Sequence, residues 1–148
     1  MMQSEFAASF QLSVSTKTFY ARIFMAGDIE VAKQVCRKEC QRDGLCVTIE
    51  PTQYIYTGGE EAGFVVGLSN YPRFPAMPET ILARARDLGK KLLGELNQGS
   101  FSIMTPDRTE WYSMRKQDLD GISAFEAQIW KHPELETQYS HRAQLVGA

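Results

Sequence analysis

The stretch PETILARARDLGKKLLGELNQG (78–99) constrains the chain more than any other. Its apolar residues Ile81, Leu82, Ala85, Leu88, Leu92, Leu93 and Leu96 recur at three- and four-residue spacing. They line one side of a helix that begins at Pro78, with Glu79 beside it, and stops at Gly99. Lys90 and Lys91 near its C-terminal end suit the negative pole of the helix. A helix apolar on one side must bury that side, so the rest of the chain has to supply an apolar surface of matching size.

That surface is written as alternation. In Phe10 to Val14, Phe10, Leu12 and Val14 oppose Gln11 and Ser13, the period of a half-buried strand. In FYARIFMA (19–26), Phe19, Ala21, Ile23 and Met25 share one side; Tyr20, Arg22 and Phe24 share the other, which Arg22 marks as less buried. Gly27 and Asp28 end this strand, and Asp28 caps a helix over 29–42 whose Ile29, Ala32, Val35, Cys36 and Cys40 point inward and whose stop is the Asp-Gly pair at 43–44. LCVTIE (45–50) reads as a strand that Pro51 interrupts, which predicts a sheet edge or a bulge. QYIY and FVVGLS flank TGGEEAG, a hairpin pattern with positive φ at Gly58 and Gly59 and with Glu60 and Glu61 exposed at the tip. NYPRFP is an extended connector. SFSIM (100–104) is the last core strand, which DRTEWYSM after Pro106 extends or doubles. DGISAFEAQIWKH (120–132) is a third helix with Ile122, Phe125 and Ile129 on one side, ended by Pro133.

In order the core reads β-α-β-β-α-β, with an extra N-terminal strand and a C-terminal helix. This is an α+β fold of the ferredoxin-like, split β-α-β type, with an antiparallel sheet carrying both helices on one face and leaving the other open. The expected organisation is a ferredoxin-like domain over 9–114, then the C-terminal helix and polar tail over 115–148.

A chain of 148 residues has the size of one domain, long enough to bury about 70% of the surface its unfolded form exposes. A net charge of −2 lacks the electrostatic footprint of a protein that grips nucleic acid or an anionic membrane. MMQSEFAASFQLSVS has no basic region leading into an apolar run, and no stretch approaches the ~20 apolar residues that span a bilayer. A cytoplasmic protein without membrane contact is expected, and Cys36, Cys40 and Cys46 read as reduced thiols.

Residues suited to covalent or acid–base chemistry are scarce. His132 and His141 both fall in the C-terminal segment. Cys36 and Cys40 lie one turn apart near the apolar side of their helix, with no second Cys/His pair to complete a metal site. TGGEEAG fails as a phosphate loop, because no Lys and Ser/Thr follow the glycines and its carboxylates would repel the ligand. No catalytic residue, metal or cofactor is therefore expected. The open face, with Tyr20 and Phe24, is too aromatic to stand in water, so the third helix (Ile122, Phe125, Ile129) or a second copy of the chain is expected to cover it. RNA recognition on that face is weakened by Val65 and Gly67, which stand where stacking rings would be needed.

The run IYTGGEEAGFVVGLSNYPRFP resembles segments of small uncharacterised proteins of tailed bacteriophages and prophages, over about Phe19 to Met114. The resemblance implies an origin and brings no site residues with it. The reading that follows is a non-enzymatic binding or assembly module, homodimeric or meeting a protein partner through its aromatic sheet face. The alternative is a small enzyme or ligand-binding domain for an anionic small molecule. Tyr54, Tyr56, Glu61, Tyr71 and Arg73 would then surround the ligand in a cleft between hairpin and connector, with Arg73 as the anchor.

Overall fold

The computed structural model describes residue 11, residues 14–118 and residue 120. Its elements are β1 (Tyr20–Ala26), α1 (Ile29–Asp43), β2 (Thr48–Tyr56), β3 (Gly59–Ser69), α2 (Pro78–Leu96), β4 (Ser100–Met104) and β5 (Thr109–Ser113). The five strands form one antiparallel sheet in the order β2-β3-β1-β4-β5. Strand β3 lies between β1 and β2, which α1 connects, so the α+β class and the split β-α-β arrangement stand. Of the N-terminal strand expected over 10–14, positions 11 and 14 are described and neither is in a strand; the others lie outside the described residues. The helix expected over 120–132 lies outside them from residue 121 onward. The additional strand among the described residues is β5, which doubles β4 at the sheet edge.

The core forms where the two periodicities meet. Ala21, Ile23 and Met25 of β1, Phe64, Val66 and Leu68 of β3, and Phe101 and Ile103 of β4 are buried on one face. Ile81, Ala85, Leu88, Leu92 and Leu93 of α2, with Ala32 and Cys36 of α1, close over that face. Fully burying each large apolar side chain stabilises the fold by about 1.5–3 kcal/mol, so α2 and the sheet are the main source of stability. Asp28 caps α1 as expected, accepting from the Glu30 N–H at 2.8 Å.

Three local expectations are corrected. Asn97, at φ 53°, ends α2 in place of Gly99, its short polar side chain tolerating the left-handed conformation. Lys91 ties the helices together, its Nζ 2.6 Å from Glu39 of α1 and 2.9 Å from Asp87, and no basic residue stands in the last turn of α2. Pro51 does not break the ladder: β2 pairs with β3 without a bulge from Thr48↔Gly67 to Tyr56↔Gly59, and Pro51↔Phe64 is one of its pairs. Strand β2 is the sheet edge that Pro51 predicts, where a missing N–H leaves no neighbour unpaired.

Candidate functional site

The hairpin joining β2 and β3 turns at Thr57–Gly58, and among its two glycines Gly58 alone has positive φ, at 92°. Gly59, Glu60 and Glu61 therefore belong to strand β3, and the two glutamates alternate between faces. The register sets Glu61 opposite Tyr54 and Gly59 opposite Tyr56, on the face away from the helices. The Tyr56 hydroxyl donates to Glu61 Oε1 at 3.0 Å. That bond raises the Tyr56 phenol above its ordinary value, since ionisation would remove the donor. Tyr54 is half-buried and donates to the Phe64 carbonyl at 3.0 Å. Burial raises its phenol as well. Its ring lies over Gly63, where an added Cβ would stand 2.5 Å from a ring carbon and 2.4 Å from the Met25 carbonyl. Three of the five expected ligand-binding residues are thus brought together as an acidic, aromatic cluster.

An open depression of about 530 Å³ lies between Asp28 and Ile29 at the start of α1, Pro51, Thr52 and Gln53 of β2, and Gly63 of β3; its Pro51 and Gln53 share the helix-side face, opposite the cluster, and none of the three cluster residues lines it. This volume is in the range of small-molecule sites. No periodicity or motif in the sequence marks these wall residues. They become neighbours because β3 is inserted between β1 and β2.

Tyr71 and Arg73 stand elsewhere. They follow the far end of β3, and at about 3.3 Å per residue Glu61 and Ser69 are about 26 Å apart. The five side chains therefore do not converge on one ligand. Tyr71 to Phe74 form a tight turn closed by the Phe74 N–H donating to the Tyr71 carbonyl at 2.9 Å. The two rings stack at 6.5 Å, and the Arg73 guanidinium lies over Phe74 at 5.3 Å. Asn70 positions this connector: its side chain donates to the Lys17 carbonyl at 2.8 Å and accepts from the Ala76 N–H at 3.0 Å. Sequence reasoning passed over that residue.

The open face carries Tyr20, Arg22, Phe24, Val65, Gly67, Met104 and Trp111. Arg22 lies over the Phe24 ring at 5.3 Å, and Tyr20 and Phe24 are half-buried. Ile122, Phe125 and Ile129, expected to meet this face, lie outside the described residues. Across the sheet, Arg86 of α2 forms a bidentate pair with Glu110 of β5, Nε to Oε1 at 2.8 Å, and the Tyr112 hydroxyl donates to the same oxygen at 2.7 Å. Arg86 holds the Glu110 carboxyl below its usual range, while burial and then Glu110 push the Tyr112 phenol up to about 12. Every polar group in this second cluster satisfies another, so it locks α2 to the sheet edge. Among the described residues no three His, Cys, Asp or Glu side chains converge in a metal-holding arrangement, and no helix is long and apolar enough to cross a membrane.

No protein-family model and no curated protein matches the chain. Among solved structures it is similar to a phage SAM lyase in its apo state, with TM-score 0.51 and 18% identity over 64% of this chain and 88% of that one. It is also similar to a phage SAM lyase in complex with S-methyl-5'-thioadenosine, with TM-score 0.50 and 15% identity over 70% of this chain and 95% of that one. At such identities the likeness is one of fold, and the phage source of both neighbours agrees with the resemblance of the IYTGGEEAGFVVGLSNYPRFP run. The expectation of a non-enzymatic binding or assembly module is corrected here: in both neighbours nearly the whole chain is a domain of this fold, and that chain is a lyase.

Proposed function

We propose that this chain is a small-molecule lyase whose substrate is SAM or a close sulfonium analogue, held at the hairpin end of the sheet. The observation that carries the reading is the fold likeness, which spans nearly the whole chain in two phage SAM lyase structures. A lyase that leaves S-methyl-5'-thioadenosine must break the bond between the sulfonium sulfur and the amino-acid chain, because methyl and adenosyl groups stay on sulfur. The substrate's own carboxylate oxygen forms the new bond to the carbon left behind, closing a five-membered lactone, while the electron pair of the broken bond goes to sulfur, which departs as a neutral thioether. Such a leaving group needs no proton, so the site has to bind, orient and desolvate its substrate more than it has to supply acid or base. This removes the main objection to an enzyme, the scarcity of histidines and reactive thiols.

The residues at the hairpin suit that task. Glu61 places a carboxylate beside the Tyr54 and Tyr56 rings, and aromatic faces together with a carboxylate attract an onium charge. Aromatic rings also stack on a purine. Arg73 is too far away to take part, which turns the expected anion site into one for a cation.

The test is to incubate the purified chain with SAM and follow S-methyl-5'-thioadenosine by chromatography. Glu61→Gln should lower the rate about 10–100-fold, the equivalent of about 1.5–3 kcal/mol for a charged contact. A folded protein that releases no S-methyl-5'-thioadenosine, and whose melting temperature neither SAM nor S-methyl-5'-thioadenosine moves, would refute the proposal.

A further inference from the structure

On leaving β5 the chain turns onto the open face of the sheet. Ser100 and Ser113 close the β4–β5 ladder and share that face with Trp111 and Met104. The Ser113 hydroxyl donates to the Asp118 carboxylate and accepts from the Arg115 N–H at 3.0 Å. Arg115 completes the fastening, its Nε donating to Asp118 at 2.9 Å and its Nη2 to Ser100 Oγ at 2.9 Å. Residues 116–118 and 120 are helical, so a helix starts at this corner with Asp118 turned toward the sheet. Ser113 and Val65 are both buried although they point away from α1 and α2.

We propose that the open face is a docking surface whose occupant is the chain's own segment 119–132, laid across it as the continuation of the helix that starts at residue 116. Phase, reach and chemistry favour this occupant over a second copy. Ile122, Phe125 and Ile129 stand four, seven and eleven residues after Asp118, the spacings of one side of a helix. A helix that turns Asp118 to Ser113 therefore turns all three the same way. From 118 to 129 it advances about 16 Å. Ser113 on β5 is three strands from Val65 on β3, about 14 Å at the usual strand spacing. Trp111, Met104, Phe24 and Val65 give the apolar side of the segment an apolar floor along that path.

The test replaces Phe125 of the full-length chain with p-benzoylphenylalanine, irradiates the protein and maps joined tryptic peptides by mass spectrometry. Trypsin releases position 125 in peptide 117–131, Phe24 in 23–33, Val65 in 43–73 and Trp111 in 109–115. The expected product is 117–131 joined at Phe24 or Val65, in a protein that still runs as one chain on a denaturing gel. The same label in place of Ile122 should instead join peptides 92–108 or 109–115 of β4 and β5, and it decides the matter where a label at 125 prevents folding. Phe24→Ala and Phe125→Ala should each lower the melting temperature by a few degrees, and together by less than the sum, as residues in contact do. Peptides joined only between two chains would give the face to a second copy and overturn the proposal. Joins to other peptides alone, no join in a chain that melts like wild type, or strictly additive losses in the two alanine variants would overturn it as well.

Discussion

Two glycines on one helix face different surroundings and predict opposite responses to the same substitution. Gly89 and Gly94 both lie inside α2, where Gly→Ala stabilises an exposed helix by about 0.8–1 kcal/mol. At Gly94 an added Cβ meets nothing within 4 Å, so that gain should appear nearly whole. At Gly89 the Cβ would stand 2.5 Å from Phe101 Cε2 and 2.8 Å from Cζ. The Phe101 ring has little room to move: it is 2% exposed and stacked on Tyr112 at 5.0 Å, and Tyr112 is bonded to the Glu110 that Arg86 clamps. Forcing a methyl into such a place costs about 1–3 kcal/mol. Because the propensity gain is common to both variants, their difference isolates the clash. Urea unfolding should place Gly89→Ala about 1–3 kcal/mol below Gly94→Ala, a gap of several degrees in melting temperature at about 2–4 °C per kcal/mol. Adding Phe101→Leu to Gly89→Ala should recover part of the loss, a non-additive result expected for residues in contact. Equal stability of the two single variants would refute the packing described for α2 on β4.

The Glu110 cluster should give two pH signatures. Glu110 is held below the ordinary carboxylate range, so its contribution is present above that range and lost as pH falls through the lowered value; Glu110→Gln should cost about 1–2 kcal/mol at neutral pH and close the gap to wild type in acid, as read by melting curves across pH. Tyr112 is raised to about 12, so its contribution is complete below the ordinary tyrosine value of about 10 and is lost as pH climbs between the two; Tyr112→Phe should flatten the alkaline limb of the same curves. Tyr54→Phe removes the hydroxyl that meets the Phe64 carbonyl and should cost about 1 kcal/mol in urea unfolding, while a loss within a few tenths of zero would show that water replaces the bond.

The fold was legible because its two signals agree. The one-sided face of 78–96 and the alternation in 20–26 fall on the residues that meet in the core, and Asp28 caps α1 as its short acidic side chain predicts. What misled was local punctuation. Pro51 marks the sheet edge correctly but reads also as a break, and because an edge strand has no outer neighbour to lose, the ladder passes through it. Gly59 reads as part of the turn, yet the strand begins there, and Glu60 and Glu61 become ladder residues on opposite faces. The unbroken ladder and the start of β3 cannot be read from a single segment, since each depends on which strand lies alongside.

The site was half legible for a related reason. Tyr54, Tyr56 and Glu61 are close in sequence and a hairpin keeps them close in space, whereas Tyr71 and Arg73 lie past the far end of β3, which carries them away. The wall formed by Asp28, Thr52 and Gln53 joins two segments that only the inserted β3 brings together. The proposed chemistry is harder still to read, because a search for nucleophiles, bases and metal ligands assumes that the protein must activate the leaving group. A sulfonium arrives activated. For such a substrate the sequence signature of catalysis shrinks to a few rings and a carboxylate around a cation, and the hairpin carries that set in residues that by themselves read as an exposed acidic turn.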